Sequence, residues 1–373
     1  MRKRVYSLLT ALALCLSMLP TAALAKGAGV VQNAANNESV YTISDDAELP
    51  DGEKGDSEEK DKDPVAEVIQ PGKTEGTNYD SLPKALQDAQ DGDTVKLLAD
   101  HVTDDDDEST LAVVTKRLTL DLSDRTVDYL IVGDVTYDRY NEETGEYENI
   151  SFTPGNLTVM SSSKDAATIG RINDLDFVRG TLDIQSGQIG YYENGPAGQL
   201  TCNENSGTVT ISGGKVLGLT VGEGASVTVN GGTEHAGLWF NDGTLTITNG
   251  KFDSVFFQNN VGTIAISGGT FDSIANKNAS TTIPPMLLLA KGYAFYNNED
   301  TVQDGSRSDS LTNVTVKTHE HSFDENGKCA CGVEKVVSDS NGNYYNTLQT
   351  ALDAAVKDST IEWIQPERNL TEQ

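Results

Sequence analysis

The sequence predicts an all-β fold, a single-stranded parallel β-helix that begins with a capping helix. The main observation is an internal repeat, in which a Gly-Thr-apolar-Thr-Ile pattern recurs through the middle of the chain. Its copies start at Thr181, Thr208, Ser226, Thr244 and Thr263, with steps of 27, 18, 18 and 19 residues. A second strand is predicted between consecutive copies, and glycine-rich turns separate the strands. One such coil cannot bury its apolar face alone, so the coils are expected to stack.

Alternation within the copies predicts which side chains form the core. Successive residues of a strand point to opposite faces, so every second residue of a copy shares one side. The inward set is expected to form aliphatic columns along the stack. It comprises Val209, Ile211, Val227, Val229, Leu245, Ile247, Ile264 and Ile266.

A short helix is predicted just before the first strands. Apolar side chains recur at helical spacing over residues 82–89, with Asp80 or Ser81 as the N-cap and Gly92 at the end. We expect this helix to cap the stack, because an exposed first coil would present unpaired strand edges. Strands are predicted next at residues 94–98, 111–114 and 118–122.

The N-terminus predicts export from the cell. Three basic residues, Arg2, Lys3 and Arg4, precede an apolar run at residues 5–19, and small residues follow at 23–25. This pattern is typical of a secretory signal peptide over residues 1–25. No later segment approaches the roughly 20 apolar residues of a membrane helix, so no membrane span is expected after signal removal.

The chain is strongly acidic, which narrows the class of partner. It carries 57 acidic and 27 basic side chains, a formal charge of −30. Such a surface repels phosphate backbones, so nucleic acid is excluded as a ligand, and polyanionic sugars are disfavoured unless calcium bridges the two. Residues 26–77 are polar and are predicted to be a disordered acidic linker, since they have little to bury.

Several short segments carry a resemblance to a known family. They are Tyr79-Asp80-Ser81-Leu82, Ala85-Leu86, Gly92-Asp93-Thr94-Val95 and Leu118-Thr119-Leu120-Asp121-Leu122. These segments resemble the opening of pectate-lyase-like β-helix domains in large Firmicutes cell-surface proteins. The resemblance covers residues 79–316, roughly two thirds of the chain. It implies a right-handed solenoid over residues 78–318 with a surface or adhesive role, and it carries no catalytic residues across.

The last part of the chain repeats this opening. Residues 345–361 align without gaps to residues 79–95, at a constant offset of 266. Residues 336–373 are therefore predicted to begin a second, truncated β-helix-like unit. Two interpretations are open: the sequence is a fragment of a multi-module protein, which we favour, or the tail caps the first solenoid.

Four metal-binding side chains lie between the two units, in a linker at residues 319–335. His319 and His321 are followed by Cys329 and Cys331, and residues two apart on a strand share a face. Imidazole and thiolate are the ligands that zinc prefers, so the four residues predict a structural zinc site. The alternative is a plain linker with free or oxidised thiols, because these spacings are less usual than Cys-x-x-Cys.

Aromatic side chains suggest a carbohydrate-binding surface. If Leu238 and Phe240 point inward, Trp239 lies outside, with Phe256 of the next coil beside it. Two stacked exposed rings could bind the face of a sugar, although packing under a loop or another module is the alternative. Tyr191 and Tyr192 form a weaker candidate of the same kind.

Outward Thr-x-Thr pairs, such as Thr244 with Thr246, could be taken for the threonine array of an ice-binding β-helix. Threonine simply favours exposed strand positions. The array is broken by Asp183, Ser226 and Ala265, which argues against that function.

No catalytic motif is present in the sequence. Arg171 and Arg179 are the only arginines between residues 139 and 307, which is unlike a polysaccharide lyase. The acidic run at 104–108 lacks the spacing of a calcium loop, His235 is expected in the core, and Cys202 is expected to be inert.

The sequence as a whole therefore favours a secreted, non-catalytic bacterial surface module. It would serve adhesion, binding glycans or proteins of a host or neighbouring cell surface. The alternative is a carbohydrate-active enzyme of the β-helix class, a lyase or a hydrolase. Apart from the possible structural zinc, no cofactor is expected.

Overall fold

The computed structural model describes most of the chain from residue 63 onward. The described residues are 63–104, 106–141, 146–163, 169–190, 198–259, 262–278, 281–307, 310–324, 327–334, 337–339, 344–345, 352 and 361–363. The predicted signal peptide, most of the predicted linker, Tyr191 and Tyr192 lie outside them.

The described part of the protein is mostly β, with 53% of its residues in strands and 6% in helices. The first strands are β1 (Ala66–Ile69), β2 (Thr77–Tyr79), β3 (Thr94–Leu97), β4 (Ala112–Val114), β5 (Arg117–Asp121), β6 (Thr126–Val132), β7 (Asp134–Asn141), β8 (Glu146–Thr153), β9 (Gly155–Met160), β10 (Arg171–Phe177), β11 (Gly180–Ile184), β12 (Gln188–Ile189), β13 (Leu200–Cys202) and β14 (Gly207–Ile211). The next are β15 (Lys215–Val216), β16 (Leu219–Val221), β17 (Ser226–Asn230), β18 (His235–Asn241), β19 (Thr244–Asn249), β20 (Lys251–Asn259), β21 (Thr263–Ile266), β22 (Thr270–Asn278), β23 (Thr281–Ile283), β24 (Tyr293–Asn297), β25 (Val302–Gln303), β26 (Leu311–Thr318), β27 (Val337–Asp339), β28 (Tyr344–Tyr345) and β29 (Ile361–Trp363). The described helices are α1 (Leu82–Asp88) and two 3₁₀ turns, Glu108–Thr110 and Pro285–Leu288. In the described part of the chain, no helix is both long and apolar enough to cross a bilayer.

The first sheet has ten strands in the order β2-β1-β3-β5-β9-β11-β14-β17-β19-β21. The pairing is antiparallel between β1 and its neighbours β2 and β3, and parallel from β3 to β21. The predicted repeat copies occupy consecutive positions in it, with Leu182, Val209, Val227, Leu245 and Ile264 in register. The repeat is therefore a ladder of parallel strands.

The second sheet takes the strands that lie between the copies. Its main path runs β15-β12-β10-β13-β16-β18-β20-β22-β26-β24-β25, and β6 pairs with both β4 and β10. From β9 to β22 the chain passes back and forth between the two sheets. The one strand predicted between the copies at Thr208 and Ser226 is in fact two, β15 and β16.

The predicted aliphatic columns are confirmed by burial. All eight predicted inward residues of the first sheet are at most 8% exposed. The second sheet supplies the facing columns, in which Leu175, Leu200, Leu219, Trp239 and Phe257 pair in register. These columns belong to one continuous core, which accounts for most of the stabilising burial.

The ordered part of the chain begins earlier than the sequence predicted. The predicted linker extends to residue 77, yet β1 pairs with β3 from Ala66 and buries Ala66 and Val68. The short apolar alternation of Ala66-Glu67-Val68-Ile69 is enough to form a strand, because β2 and β3 pair with it on either side. Helix α1 has Ser81 as its N-cap, but it ends at Asp88 rather than at Gly92.

The parallel ladder of the second sheet ends at antiparallel strands. β22 pairs with β26, and β26 pairs with β24, both in antiparallel orientation. A separate three-stranded sheet, β28-β27-β29, has the strand order of β2-β1-β3. Val337 pairs with Tyr345 and Trp363, just as Ala66 pairs with Tyr79 and Leu97.

His235 is a satisfied core residue, as the sequence predicted. It is fully buried and stacks in register on Phe252. The backbone N–H of Val216 donates to its Nδ1 (3.1 Å), and its Nε2 lies 3.0 Å from the carbonyl oxygen of Gly231. Because Nδ1 accepts, the proton of the neutral ring sits on Nε2. Burial lowers the pKa of His235 below its usual value of 6.5.

This environment predicts a loss of stability in mild acid. The folded state disfavours the protonated ring, so the unfolded state binds more protons as the pH falls below about 6.5. The stability that the neutral His235 ring contributes is therefore present above that pH and is lost on acidification. Between pH 7.5 and 5, the free energy of unfolding of the wild type should fall by on the order of 1 kcal/mol more than that of His235→Phe. Urea unfolding at several pH values measures this, and parallel pH profiles would contradict it.

Candidate functional site

The four predicted metal ligands lie on the described residues 319–324 and 327–334, here called the His/Cys loop. His319 follows directly after β26, and its N–H donates to the carbonyl of Gly292 (2.8 Å). A tight turn orients the two thiols: the backbone N–H of Gly332 donates to the carbonyl oxygen of Cys329 (2.9 Å). Gly332 has φ +96°, and an added Cβ would meet Asp304, so only glycine fits there.

The structure brings all four side chains together. One donor atom from each of His319, His321, Cys329 and Cys331 lies within 4.8 Å of the other three. Nε2 of His319 is 3.1 Å from Sγ of Cys329, and Nδ1 of His321 is 3.4 Å from Sγ of Cys331. Each histidine thus faces one cysteine.

A tyrosine that the sequence did not point to orients one histidine. The hydroxyl of Tyr296, on β24, lies 2.8 Å from Nδ1 of His319. This bond occupies Nδ1 and leaves Nε2 facing the thiols. Metal-bound histidines commonly have such a partner on the other ring nitrogen. Tyr296 is 23 residues upstream, so no local spacing could have indicated it.

Burial affects the protonation of the Cys331 thiol and of His321 in different directions. Both thiols are buried, Cys329 at 2% exposure and Cys331 at 5%, whereas His321 is exposed. Burial raises the pKa of Cys331 to about 11. Burial and the neighbouring His319 lower the pKa of His321, which keeps its ring neutral, the form that binds metals.

The outer face of the first sheet is the second candidate site. We call its twelve outward positions on β9, β11, β14, β17, β19 and β21 the hydroxyl face. They are Asn156, Thr158, Thr181, Asp183, Thr208, Thr210, Ser226, Thr228, Thr244, Thr246, Thr263 and Ala265. Eight are threonine and one is serine, and none is buried.

The hydroxyl face is regular and almost free of charge. Its residues pair in register, so like positions repeat at the spacing of adjacent strands, about 4.8 Å. Asp183 is the one charged member, and the amide of Gln185 donates to it (2.8 Å). In the described part of the chain, the hydroxyls of Thr210, Thr228 and Thr246 make no hydrogen bond to another protein group.

The predicted orientation of Trp239 is wrong. Its side chain is fully buried, while Leu238 and Phe240 are only partly buried. The ring packs at 5.8 Å from that of Phe257, and its Nε1–H donates to the carbonyl of Ala236 (3.0 Å). With its one polar atom satisfied, the indole gains more from burial than the smaller Leu238 would.

Phe256 does not lie beside Trp239. It is half-buried and pairs with Leu238, whereas Phe257 pairs with Trp239. A register shift between His235 and Gly237 against β20 produces this offset. The predicted two-ring platform is therefore absent.

Cys202 and the acidic run at 104–108, which the sequence raised as possible sites, have structural roles. Cys202 is buried in the core, and burial raises the pKa of its thiol, which keeps it protonated. In the acidic run, Asp104 accepts from the N–H of Asp106 (3.0 Å) and Asp107 from that of Ser109 (2.9 Å). These carboxylates stabilise their own turn.

The sequence reasoning missed a group of carboxyls on the second sheet. Asp174 and Asp176 lie on the same side of β10, and Tyr129 of β6 donates to Asp176 (2.5 Å). Burial raises the pKa of both carboxyls, and the pKa of Asp174 is raised further by Asp128. The Asp-x-Asp spacing on a strand, which places both on one face, was the available signal.

The fold and these sites describe a parallel-sheet protein with a hydroxyl-bearing face and a cluster of nitrogen and sulfur donors. Comparison with family models, with curated proteins and with solved structures found no match.

Proposed function

We propose that the chain is an exported, non-catalytic surface module that binds neutral glycans in adhesion, built as a right-handed, single-stranded parallel β-helix. The observation that carries the proposal is the hydroxyl face. The alternation of the chain between two in-register parallel sheets supports the β-helix, since consecutive coils of such a fold stack in this way. The handedness follows the rule for parallel crossover connections.

The chemistry of the face selects the class of ligand. The chain carries a formal charge of −30, so a polyanion would be repelled, but a neutral sugar would not. The hydroxyls of Thr210, Thr228 and Thr246, which have no partner among the described protein groups, can both donate and accept hydrogen bonds, which suits sugar hydroxyls. Because the rows of the hydroxyl face repeat over six strands, an extended glycan could bind several of them at once.

The decisive test removes hydroxyls while keeping side-chain shape. Thr228→Val with Thr246→Val should reduce retention on immobilised neutral polysaccharides by about tenfold or more, since each lost bond contributes about 1 kcal/mol. The matched control is Thr220→Val with Thr270→Val on the second sheet, which should bind as the wild type does. Unchanged retention of the first variant would contradict the glycan proposal. Loss of binding to immobilised cell-surface proteins instead would favour a protein partner.

The second candidate function is a carbohydrate-active enzyme, which the carboxyls on β10 favour. A carboxyl with a raised pKa can act as a general acid in glycoside hydrolysis, with a second carboxyl as its partner. Incubation with neutral and acidic polysaccharides, followed by a reducing-end assay, separates the two functions. Binding without new reducing ends supports the surface module. Turnover that is abolished in Asp176→Asn would establish the enzyme.

A further inference from the structure

We infer that the His/Cys loop binds one zinc ion through His319, His321, Cys329 and Cys331, and that this ion fastens the antiparallel strands that close the second sheet. Two imidazole nitrogens and two thiolates form a common tetrahedral zinc set. The inference is independent of glycan binding, because the hydroxyl face lies on the other sheet.

The distances fit a tetrahedral site. Zinc–sulfur bonds of about 2.3 Å and zinc–nitrogen bonds of about 2.0–2.1 Å place neighbouring donors roughly 3.3–3.8 Å apart. The two short donor pairs, at 3.1 and 3.4 Å, lie close to that range, and no pair exceeds 4.8 Å. Inward movement of the exposed His321 would close the set. Four protein ligands leave no open position for water, so the ion has a structural role.

Apolar packing contributes little to holding the loop in place. Its apolar cluster contains Cys329 and Cys331 with Ala294 of β24, and a few partly buried side chains pack around them. So small a core stabilises a loop weakly, and a metal ion commonly supplies the remaining free energy. The two thiols are the centre of that cluster, so the ion would hold it from within.

The position of the cluster explains what the ion does for the fold. Ala294 and Tyr296 belong to β24, which pairs with β26, and β26 covers the last parallel strand, β22. His319 directly follows β26 and its side chain bonds to Tyr296. Fastening the loop therefore holds β24 and β26 over an edge that would otherwise be free to pair with another chain.

Metal titration of the purified full-length protein tests the inference. After removal of metal with a chelator, zinc added in competition with a chromophoric chelator should bind one per chain, with excess magnesium and salt present to suppress binding by surface carboxylates. Cobalt should give the visible absorption of a tetrahedral site and a thiolate charge-transfer band. His321→Ala, at an exposed position, should lose tight binding and yet fold. Cys331→Ser should also lose it, whereas Cys202→Ala should keep one zinc per chain.

A second pair of variants tests the role of Tyr296 as a positioning residue. Tyr296→Phe should weaken zinc binding by about ten- to a hundredfold. The control is Tyr293→Phe on the same strand, because Tyr293 packs against the main core instead and should leave the affinity unchanged. The inference is overturned if the wild type binds no stoichiometric zinc. It is also overturned if Cys202→Ala loses as much bound zinc as Cys331→Ser does.

The consequence for the fold is measured separately. With zinc, amides of β24 and β26 should exchange with solvent at least about tenfold more slowly than after chelation, whereas those of β11 and β14 should not change. Equal exchange in β24 and β26 with and without zinc would show that the ion does not fasten these strands.

Discussion

Trp239→Ala is expected to lower the free energy of unfolding by about 3–5 kcal/mol, the range for large aromatic truncations in a core. The indole is fully buried between Leu219 and Phe257 in a column of the second sheet. Its ring also meets Phe252 edge-on, at 5.6 Å. Removing it leaves a cavity that rigid strands on both sides cannot fill. Urea unfolding followed by circular dichroism measures the loss.

Phe256→Ala is the matched control, one residue from the partner of Trp239. Phe256 is half-buried and lies on the other side of β20, so its truncation should cost about 1 kcal/mol or less. Glycan retention of folded Trp239→Ala should equal that of the wild type at a temperature where both are native. If Trp239→Ala had normal stability but no longer bound glycans, the result would indicate that the Trp239 ring lies on the surface.

Gly180→Ala is expected to cost about 3 kcal/mol or more. Gly180 has φ +125°, and it stacks in register between Gly155 and Gly207. An added Cβ would overlap the carbonyl oxygen of Gly155, which is backbone and cannot move without breaking the ladder. The cost thus combines an unfavourable backbone conformation with a steric clash.

Gly72→Ala separates these two contributions. Gly72 also has a positive φ, +77°, but an added Cβ there would meet no atom within 4 Å. Its replacement should cost about 1–2 kcal/mol, the backbone contribution alone. Thermal unfolding of the two variants side by side measures the difference. Equal losses would show that the stacked glycines are not in close contact.

The ladder could be predicted from the sequence because its signal is local and repeated. A strand with Thr-apolar-Thr-Ile alternation has one apolar side, and five such copies leave little freedom in how they stack. The second sheet was harder, since its strands are less regular. His235 and Trp239 lie on one side of β18, but the register with β20 shifts by one residue between them. Counting alternate residues across neighbouring repeats therefore gave the wrong partner for Trp239.

The donor cluster could be predicted in composition but not in geometry. His-x-His and Cys-x-Cys indicated the four ligands, whereas their approach to 4.8 Å depends on where β26 ends and how Gly332 turns the chain. Tyr296 joins the site through the antiparallel pairing of β24 with β26. Pairing between distant strands leaves no mark on local spacing, so such partners emerge only from the folded chain.

The repeats that start at Thr208, Ser226 and Thr244 are nearly constant in length, which has a consequence for how this protein can change in evolution. The repeats that start at Ser226 and Thr244 are 18 and 19 residues long, and their strands present equivalent side chains to the strands before and after them. Duplication or loss of one such stretch of gene would leave every remaining strand with a fitting neighbour. Lineages can therefore lengthen or shorten the molecule, and with it the reach of its outer surface, without redesigning either end.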